Sequence, residues 1–141
     1  MRGVEIRRLT EDDLDQVLAL GHLLDSLPRE DATRRFLASP THHLLVASVD
    51  GQAVGFVTGV ELTHPDKGTE MFLYELGVEE ASRRRGIGRQ LTEALAALAR
   101  ERGCYGMWVG TEPSNTAALA TYRAAGATSS DEFVALTWAF D

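Results

Sequence analysis

Apolar positions along the chain change their period several times, and each change marks an element. Val4 and Ile6 alternate with charged neighbours over residues 4–9, which predicts a short first strand. Thr10 followed by Glu11, Asp12 and Asp13 reads as a helix N-cap with acids in the first turn. Leu14, Val17, Leu18 and Leu24 then fall on one helical face. Pro28 opens a second helix with Glu30 and Asp31 early, Phe36 and Leu37 near its end and Pro40 as its stop.

Strand-like runs follow. Residues 43–49 and 53–62 are rich in Val, Leu and Phe and flank Asp50-Gly51, the signal of a hairpin turn. His64-Pro65-Asp66-Lys67-Gly68 is a turn, and a third strand is expected over 70–78. The period then becomes helical: Ile87, Leu91, Leu95 and Leu98 repeat as far as Arg102, with Gly103 as the C-terminal stop. Residues 105–111 return as a strand, Ser114 or Asn115 caps a helix running through Ala124 to Gly126, and residues 133–140 are expected to close the chain as a last strand. The order strand, two helices, three strands, helix, strand, helix, strand describes a mixed α/β domain around one central sheet.

A chain of 141 residues with 44% hydrophobic content supports one core, so residues 1–141 read as a single domain. No stretch approaches the roughly 20 apolar residues of a membrane span, and the start Met1, Arg2, Gly3, Val4, Glu5 has no apolar leader block, so a cytoplasmic location is expected. Cys104 is the single cysteine, which excludes an internal disulfide; a buried, inert thiol is a better reading than a nucleophile. With 21 acidic and 14 basic side chains the net charge is -7, which disfavours a nucleic-acid surface and favours cationic partners. His42 and His43 point to opposite sides of a strand, and neither His22 nor His64 completes a ligand spacing, so no metal is expected.

The most informative segment is Arg83-Arg84-Arg85-Gly86-Ile87-Gly88, with Arg89 just after it, set between an apolar strand and a strongly periodic helix. Unpartnered N–H groups and the dipole at a helix start attract a pyrophosphate, and glycines let the backbone approach it. The plain alternative is a solvated basic turn. A dinucleotide-binding turn requires a third glycine where Leu91 stands, and a Walker loop requires a Gly-Lys-Ser/Thr ending that is missing.

Arg-x-x-Gly-x-Gly after Leu76-Gly77-Val78 resembles the acetyl-CoA-binding motif of the GNAT superfamily, and Asn115, Ala118, Tyr122 and Gly126 resemble that superfamily's second conserved segment. Glu70-Met71-Phe72-Leu73-Tyr74-Glu75-Leu76-Gly77-Val78 further resembles the matching strand of aminoglycoside 3-N-acetyltransferases, with Glu75 in place of Asp and Gly77 in place of Ala. The resemblance spans 70–126. It implies a central mixed, mostly antiparallel sheet flanked by helices, and acetyl-CoA as cosubstrate held by Leu76, Gly77, Val78, Arg83, Arg84, Arg85, Gly86, Ile87, Gly88, Arg89, Asn115, Ala118 and Tyr122.

The same resemblance implies the catalytic roles. Leu76 N–H is the oxyanion donor and Tyr122 the general acid toward the CoA sulfur; by periodicity alone Tyr122 is a core aromatic. Glu75 is the only charge between Met71 and Val78, where an unpaired carboxylate is costly, so it reads as base or cation-binding group; a carboxylate on a solvated groove wall is the plain alternative. Glu70, Tyr74, Glu112 and the acids from Asp25 to Asp31 are candidates to line an acceptor cleft, although each acid alone is as well explained by a solvated face.

The expected activity is N-acetylation of a small cationic amine, with the 3-amino group of an aminoglycoside as the specific case and antibiotic resistance as one possible role. A protein or peptide N-acetyltransferase is the alternative, and a non-catalytic acyl-CoA-binding module a third. A homodimer is expected, with strand 133–140 as a candidate participant.

Overall fold

The structure is a computed structural model that describes residues 3–140. Met1 and Arg2, on which the reading of the N-terminus begins, and Asp141 lie outside the described residues. Strand β1 spans Glu5–Arg8 and leads into a 3-10 turn, Glu11–Asp13, and a short helix α1, Leu14–Leu18. The predicted cap is present: the Thr10 backbone N–H donates to Asp13 Oδ2 at 2.7 Å, and the Thr10 hydroxyl donates to the same oxygen at 3.2 Å. Helix α1 ends before Leu24, which instead sits in a run of turns closed by Leu20 N–H to Val17 and Leu23 N–H to Leu20. Gly21, a poor helix former, stands where a longer helix would continue.

Helix α2 spans Glu30–Ala38 and ends at Ser39, before Pro40. Strands β2 (His42–Val49), β3 (Gln52–His64) and β4 (Gly68–Val78) form an antiparallel meander. The first hairpin turns through Asp50 and Gly51, both at positive φ (52° and 80°), the pair of left-handed residues that a two-residue hairpin needs. Helix α3 (Ile87–Glu101), strand β5 (Met107–Trp108) and helix α4 (Thr116–Ala124) follow. The sheet order is β1-β2-β3-β4-β5, with β5 parallel to β4 and the other pairs antiparallel.

Alternation along the strands feeds two cores. Leu45, Val57, Met71 and Leu73 meet Ile87, Leu91 and Leu95 of α3 on one face. Leu44, Val46 and Phe56 meet Leu9, Val17 and Leu20 on the other, with Leu24, Phe36 and Leu37 packed alongside. Each such side chain removed from water contributes about 1.5–3 kcal/mol, so a shift of one residue in register, which would reverse both faces, is strongly opposed.

Two strand expectations are corrected. The strand predicted over 105–111 forms as β5 only at Met107 and Trp108; backbone bonds from Tyr105 N–H to the Thr69 carbonyl and from Met71 N–H to the Gly106 carbonyl lead into it, and Gly110 weakens its continuation. The last strand predicted over 133–140 is not formed: those residues have no strand partner, and Phe133, Val134, Leu136, Trp138 and Phe140 are 63–89% exposed. A strand propensity without a neighbouring edge to bond leaves the backbone unpaired.

At the end of the sheet near the C-terminus of α3 lies a buried polar cluster. His43 is fully buried, with Arg8 Nη2 2.8 Å from Nδ1 and Glu61 Oε2 2.6 Å from Nε2. Arg102 donates from Nε to the same Glu61 oxygen at 2.8 Å and from Nη2 to the Pro40 carbonyl at 3.0 Å. A guanidinium only donates, so Nδ1 of His43 accepts and Nε2–H donates to Glu61.

Candidate active site

The site is organised by one extra residue in β4. Thr58 pairs with Glu75 and Gly59 with Leu73, so Tyr74 stands unopposed as a bulge. Before the bulge, Met71 and Leu73 face α3 and Phe72 faces the opposite side; after it the parity is reversed. Leu76 and Val78 pack toward the α3 core. A Cβ on Gly77 would lie 2.6 Å from the Phe56 ring and 3.0 Å from the Leu23 carbonyl, which places Gly77, and Glu75 two residues before it, on the α1/α2 face.

Backbone groups reverse with the side chains. Met71 donates its N–H to Gly106 at 2.9 Å on the β5 side, whereas Glu79 donates to Val54 of β3 at 2.8 Å. Counting back from Glu79 by twos, Gly77 and Glu75 turn their amides to β3, so those of Leu76 and Val78 point to the β5 side. Strand β5 pairs with β4 only as far as Phe72, so that edge is open along residues 73–78. Strand β4 therefore has a free edge beyond Phe72, with the Leu76 amide on its open side.

The turn ahead of α3 faces this opening. Arg84 (φ 67°) and Gly86 (φ 75°) both adopt left-handed conformations, separated by a single residue, and Gly86 is the N-cap of α3. Such a run of turns concentrates backbone N–H groups on one concavity. Gln90 is the first residue of the helix to bond back, to the Gly86 carbonyl at 2.9 Å, which leaves the amides of Ile87, Gly88 and Arg89 without intrahelical partners. Arg83 ties the turn to β4 through Nε to the Val78 carbonyl at 3.1 Å, and Arg89 pairs with Glu93 at 3.0 Å. Arg84 and Arg85 are exposed and have no ion pair among the described residues. Gly88 lies under Thr121, Leu76 and Val78, so helix start, strand end and α4 converge here. Donor set, shape and charge fit a pyrophosphate with an extended chain running along β4.

Glu75 is partly buried, and burial pushes its carboxyl above the ordinary carboxylate value; the Asp25 amide opposes this and the Asp25 charge adds to it. Its cross-strand neighbour Thr58 has a buried hydroxyl with no hydrogen-bond partner among the described residues. Tyr122 is half-buried against the α3 core, where desolvation raises its phenol and keeps it protonated. Its hydroxyl has no hydrogen-bond partner among the described residues.

Other predicted residues are placed less centrally. Asn115 accepts from Ala118 N–H at 3.1 Å, so the cap reading accounts for both. Glu112 is exposed in the loop before α4, where its carbonyl accepts from Asn115 N–H at 3.0 Å. Tyr74 is 69% exposed and meets Phe72 edge-on at 5.8 Å. Glu70 is not brought to the site. It accepts from Tyr105 Oη at 3.0 Å at the other end of β4, about 17 Å from Glu75 at strand rise. Sequence reasoning missed Thr58, whose place opposite Glu75 comes from the bulge, and the stacked pair Phe72 and Trp108, 4.3 Å apart, which only the parallel pairing of β5 creates.

With this geometry in view, comparison with known proteins is direct. A model of the acetyltransferase (GNAT) family matches residues 7–127. N-alpha-acetyltransferase RimI of Mycobacterium tuberculosis is 36% identical over 95 residues, 67% of this chain and 58% of that protein, so the match spans little more than half of the relative's length. A crystal structure of an aminoglycoside acetyltransferase, meta-AAC0020, from an uncultured soil metagenomic sample superposes with a TM-score of 0.89 at 24% identity, covering 98% of this chain and 97% of that one. The aminoglycoside N-acetyltransferase AAC(6')-Iy in complex with CoA gives 0.81 at 23% identity, covering 98% and 96%.

Proposed function

The chain belongs to the acetyltransferase (GNAT) family, and we propose that the amine it acetylates is a small polycation of the aminoglycoside class. The family makes it an acyl-CoA-dependent N-acetyltransferase that uses acetyl-CoA as cosubstrate. The observation that carries the acceptor reading is the reversal at Tyr74: Glu75 faces the α1/α2 side while the Leu76 amide opens on the edge beside α3. Donor and acceptor are thereby offered groups on different faces of one strand.

Bound acetyl-CoA supplies an acyl carbon activated as a thioester. The turn 83–89 binds its diphosphate, and the Leu76 N–H donates to the carbonyl oxygen where negative charge develops. Glu75 takes the proton from the acceptor ammonium, through a water that Thr58 Oγ1 helps to hold. The freed amine nitrogen bonds to the acyl carbon as the carbon–sulfur bond breaks, the Tyr122 hydroxyl gives its proton to the departing sulfur, and the proton that the new amide nitrogen sheds restores the tyrosine hydroxyl.

Net charge -7 attracts a polycation, and the Phe72–Trp108 stack on the Glu75 face offers a flat apolar surface to a saturated ring. The strand resemblance points to a 3-amino group, and the name of the CoA-bound structural neighbour to a 6′-amino group; NMR of the product distinguishes them. Acetylation of such an antibiotic would serve resistance, and the enzyme works in the cytoplasm as a homodimer.

A peptide acceptor is the second reading, favoured by the 36% identity to RimI. Thiol release measured with aminoglycosides, polyamines and N-terminal peptides separates the two. Turnover with aminoglycosides at a kcat/KM at least about tenfold above peptides supports the first reading; the reverse ranking overturns it.

A further inference from the structure

The loop between α1 and α2 crosses the face of β4 beside Glu75. Its Leu23 carbonyl lies 3.0 Å from where a Cβ on Gly77 would stand, and two residues further on the Asp25 backbone N–H donates to the Glu75 carboxylate. Bonds from Leu23 N–H and Leu24 N–H to the Leu20 carbonyl, at 2.8 and 3.2 Å, hold the loop there. Of the acids between 25 and 31, Glu30 is answered by Arg34 and Asp31 by Arg29, each at 3.6 Å. Asp25 and Glu75 are in no ion pair among the described residues. Asp25 is also the only charged group among them that acts on Glu75; Thr58 faces it from β3, and Phe72 and Gly77 flank it on β4.

We infer that Asp25 makes the readiness of Glu75 depend on the acceptor: an amine that sets a second ammonium on Asp25, beside the one that reacts, frees Glu75 to act as base, and an amine with a single cationic centre does not. The inference rests on the reading of Glu75 as the group that receives the acceptor's proton, and it names the acceptor class as closely spaced diamines. Two negative charges disfavour each other, so the unanswered Asp25 charge favours the protonated form of Glu75, which cannot take a proton. Partial burial of Glu75 keeps water from screening that field completely. An ammonium against Asp25 cancels it and leaves the bond from the Asp25 amide, which favours the ionised form. Binding of the second ammonium and ionisation of Glu75 therefore promote one another, as linkage requires. Because the amide belongs to the backbone, a side-chain substitution at Asp25 removes the charge and keeps the hydrogen bond.

The test is carbon NMR of the Glu75 carboxyl through a pH titration of the full chain, Asp25→Asn and Asp25→Glu, each alone and with trimethylenediamine or propylamine. Asp25 is exposed, so both variants are expected to keep the parent's far-ultraviolet circular dichroism. In the parent the Glu75 midpoint is expected at lower pH with the diamine than with the monoamine. Asp25→Asn should titrate below the parent when free and respond to both amines alike, while Asp25→Glu, which keeps the charge, follows the parent. With an aminoglycoside as acceptor, kcat/KM of Asp25→Asn should fall about tenfold, the scale of one charged hydrogen bond, and Asp25→Glu should recover most of it. A midpoint that is the same in parent and Asp25→Asn, or that the two amines move equally in the parent, overturns the inference. The underlying readings fail by other signs: full turnover in Glu75→Gln removes Glu75 as base and the inference with it, whereas a coupling seen by NMR without turnover of any aminoglycoside keeps the inference and overturns only that choice of acceptor.

Discussion

Met71 and Glu79 lie eight residues apart on the strand and its exit, yet donate their amide hydrogens to opposite neighbours, Gly106 on one side and Val54 on the other. An uninterrupted strand would send both the same way, since eight is a multiple of its period. Tyr74, the unopposed residue between them, makes the difference. The same residue turns the carboxylate of Glu75 to one face and leaves the amide of Leu76 free on the open edge, so a single bulge arranges both halves of the proposed site.

Replacing Tyr122 with Phe should separate chemistry from binding. The ring packs against the α3 core and stays in place, while the hydroxyl, its pKa raised by desolvation and without a partner among the described residues, is removed. Loss of a general acid typically costs 10²–10⁴ in rate, so kcat should fall about 100-fold with the calorimetric Kd for acetyl-CoA changed less than about twofold. An unchanged kcat removes Tyr122 from the reaction.

Glu75→Gln should trade activity for stability. Burial raises the folded pKa of Glu75 above its ordinary value of 4.5, so the contribution of the group to stability is complete only at low pH, where it is protonated, and is lost as pH rises through the folded pKa. At neutral pH the amide variant is therefore expected to melt slightly higher. Activity runs the other way: kcat/KM of the parent falls as pH drops through that raised pKa, and the variant loses both this acid limb and about 100-fold in rate. Retention of the limb in the variant would assign it to another group.

Much of the layout was legible in the pattern of residues. The period change at Gly86, the Asp50-Gly51 hairpin and the Thr10 cap each depend on neighbours in sequence, and each appears where expected. What could not be read depends on partners remote in sequence. Gly77 in place of alanine gains its reason only from the Phe56 ring and the Leu23 carbonyl that fill its Cβ space. Residues 133–140 carry a strand pattern that none of the described residues pairs, and Glu70 shares a strand with Glu75 but lies beyond its reach.

The His43 cluster should make the fold sensitive to acid. Burial lowers the His43 pKa, the Glu61 bond opposes this, and Arg8 adds to the lowering. Below the ordinary value of 6.5 the unfolded chain therefore binds a proton that the folded chain refuses, so stability is complete above 6.5 and falls as pH drops. Glu61 adds a second loss further down: burial raises it, but bonds from His43 and Arg102 leave it net below 4.5, so its contribution disappears as pH falls through the folded value. Replacing His43 with Gln is expected to lower Tm by about 5 °C at pH 7.5 and to flatten the decline between pH 7 and 5. A parallel decline in both proteins would show that His43 does not set the pH dependence.

Thr58 offers a sharper discrimination, because its two possible roles predict opposite pairings of stability and rate. Its hydroxyl is buried beside Glu75 with no hydrogen-bond partner among the described residues, and an orphaned buried hydroxyl costs about 1–3 kcal/mol. Thr58→Val keeps the shape and removes that cost, so Tm should rise by a few degrees whatever the hydroxyl does in turnover. If Oγ1 also holds the water through which Glu75 receives its proton, the same variant should lose about tenfold in kcat and shift the acid limb of its pH profile, while Thr58→Ser, which keeps the oxygen, should restore both. A variant that melts higher with kcat and profile unchanged would show the hydroxyl to be a packing defect, and the proton would have to reach Glu75 directly.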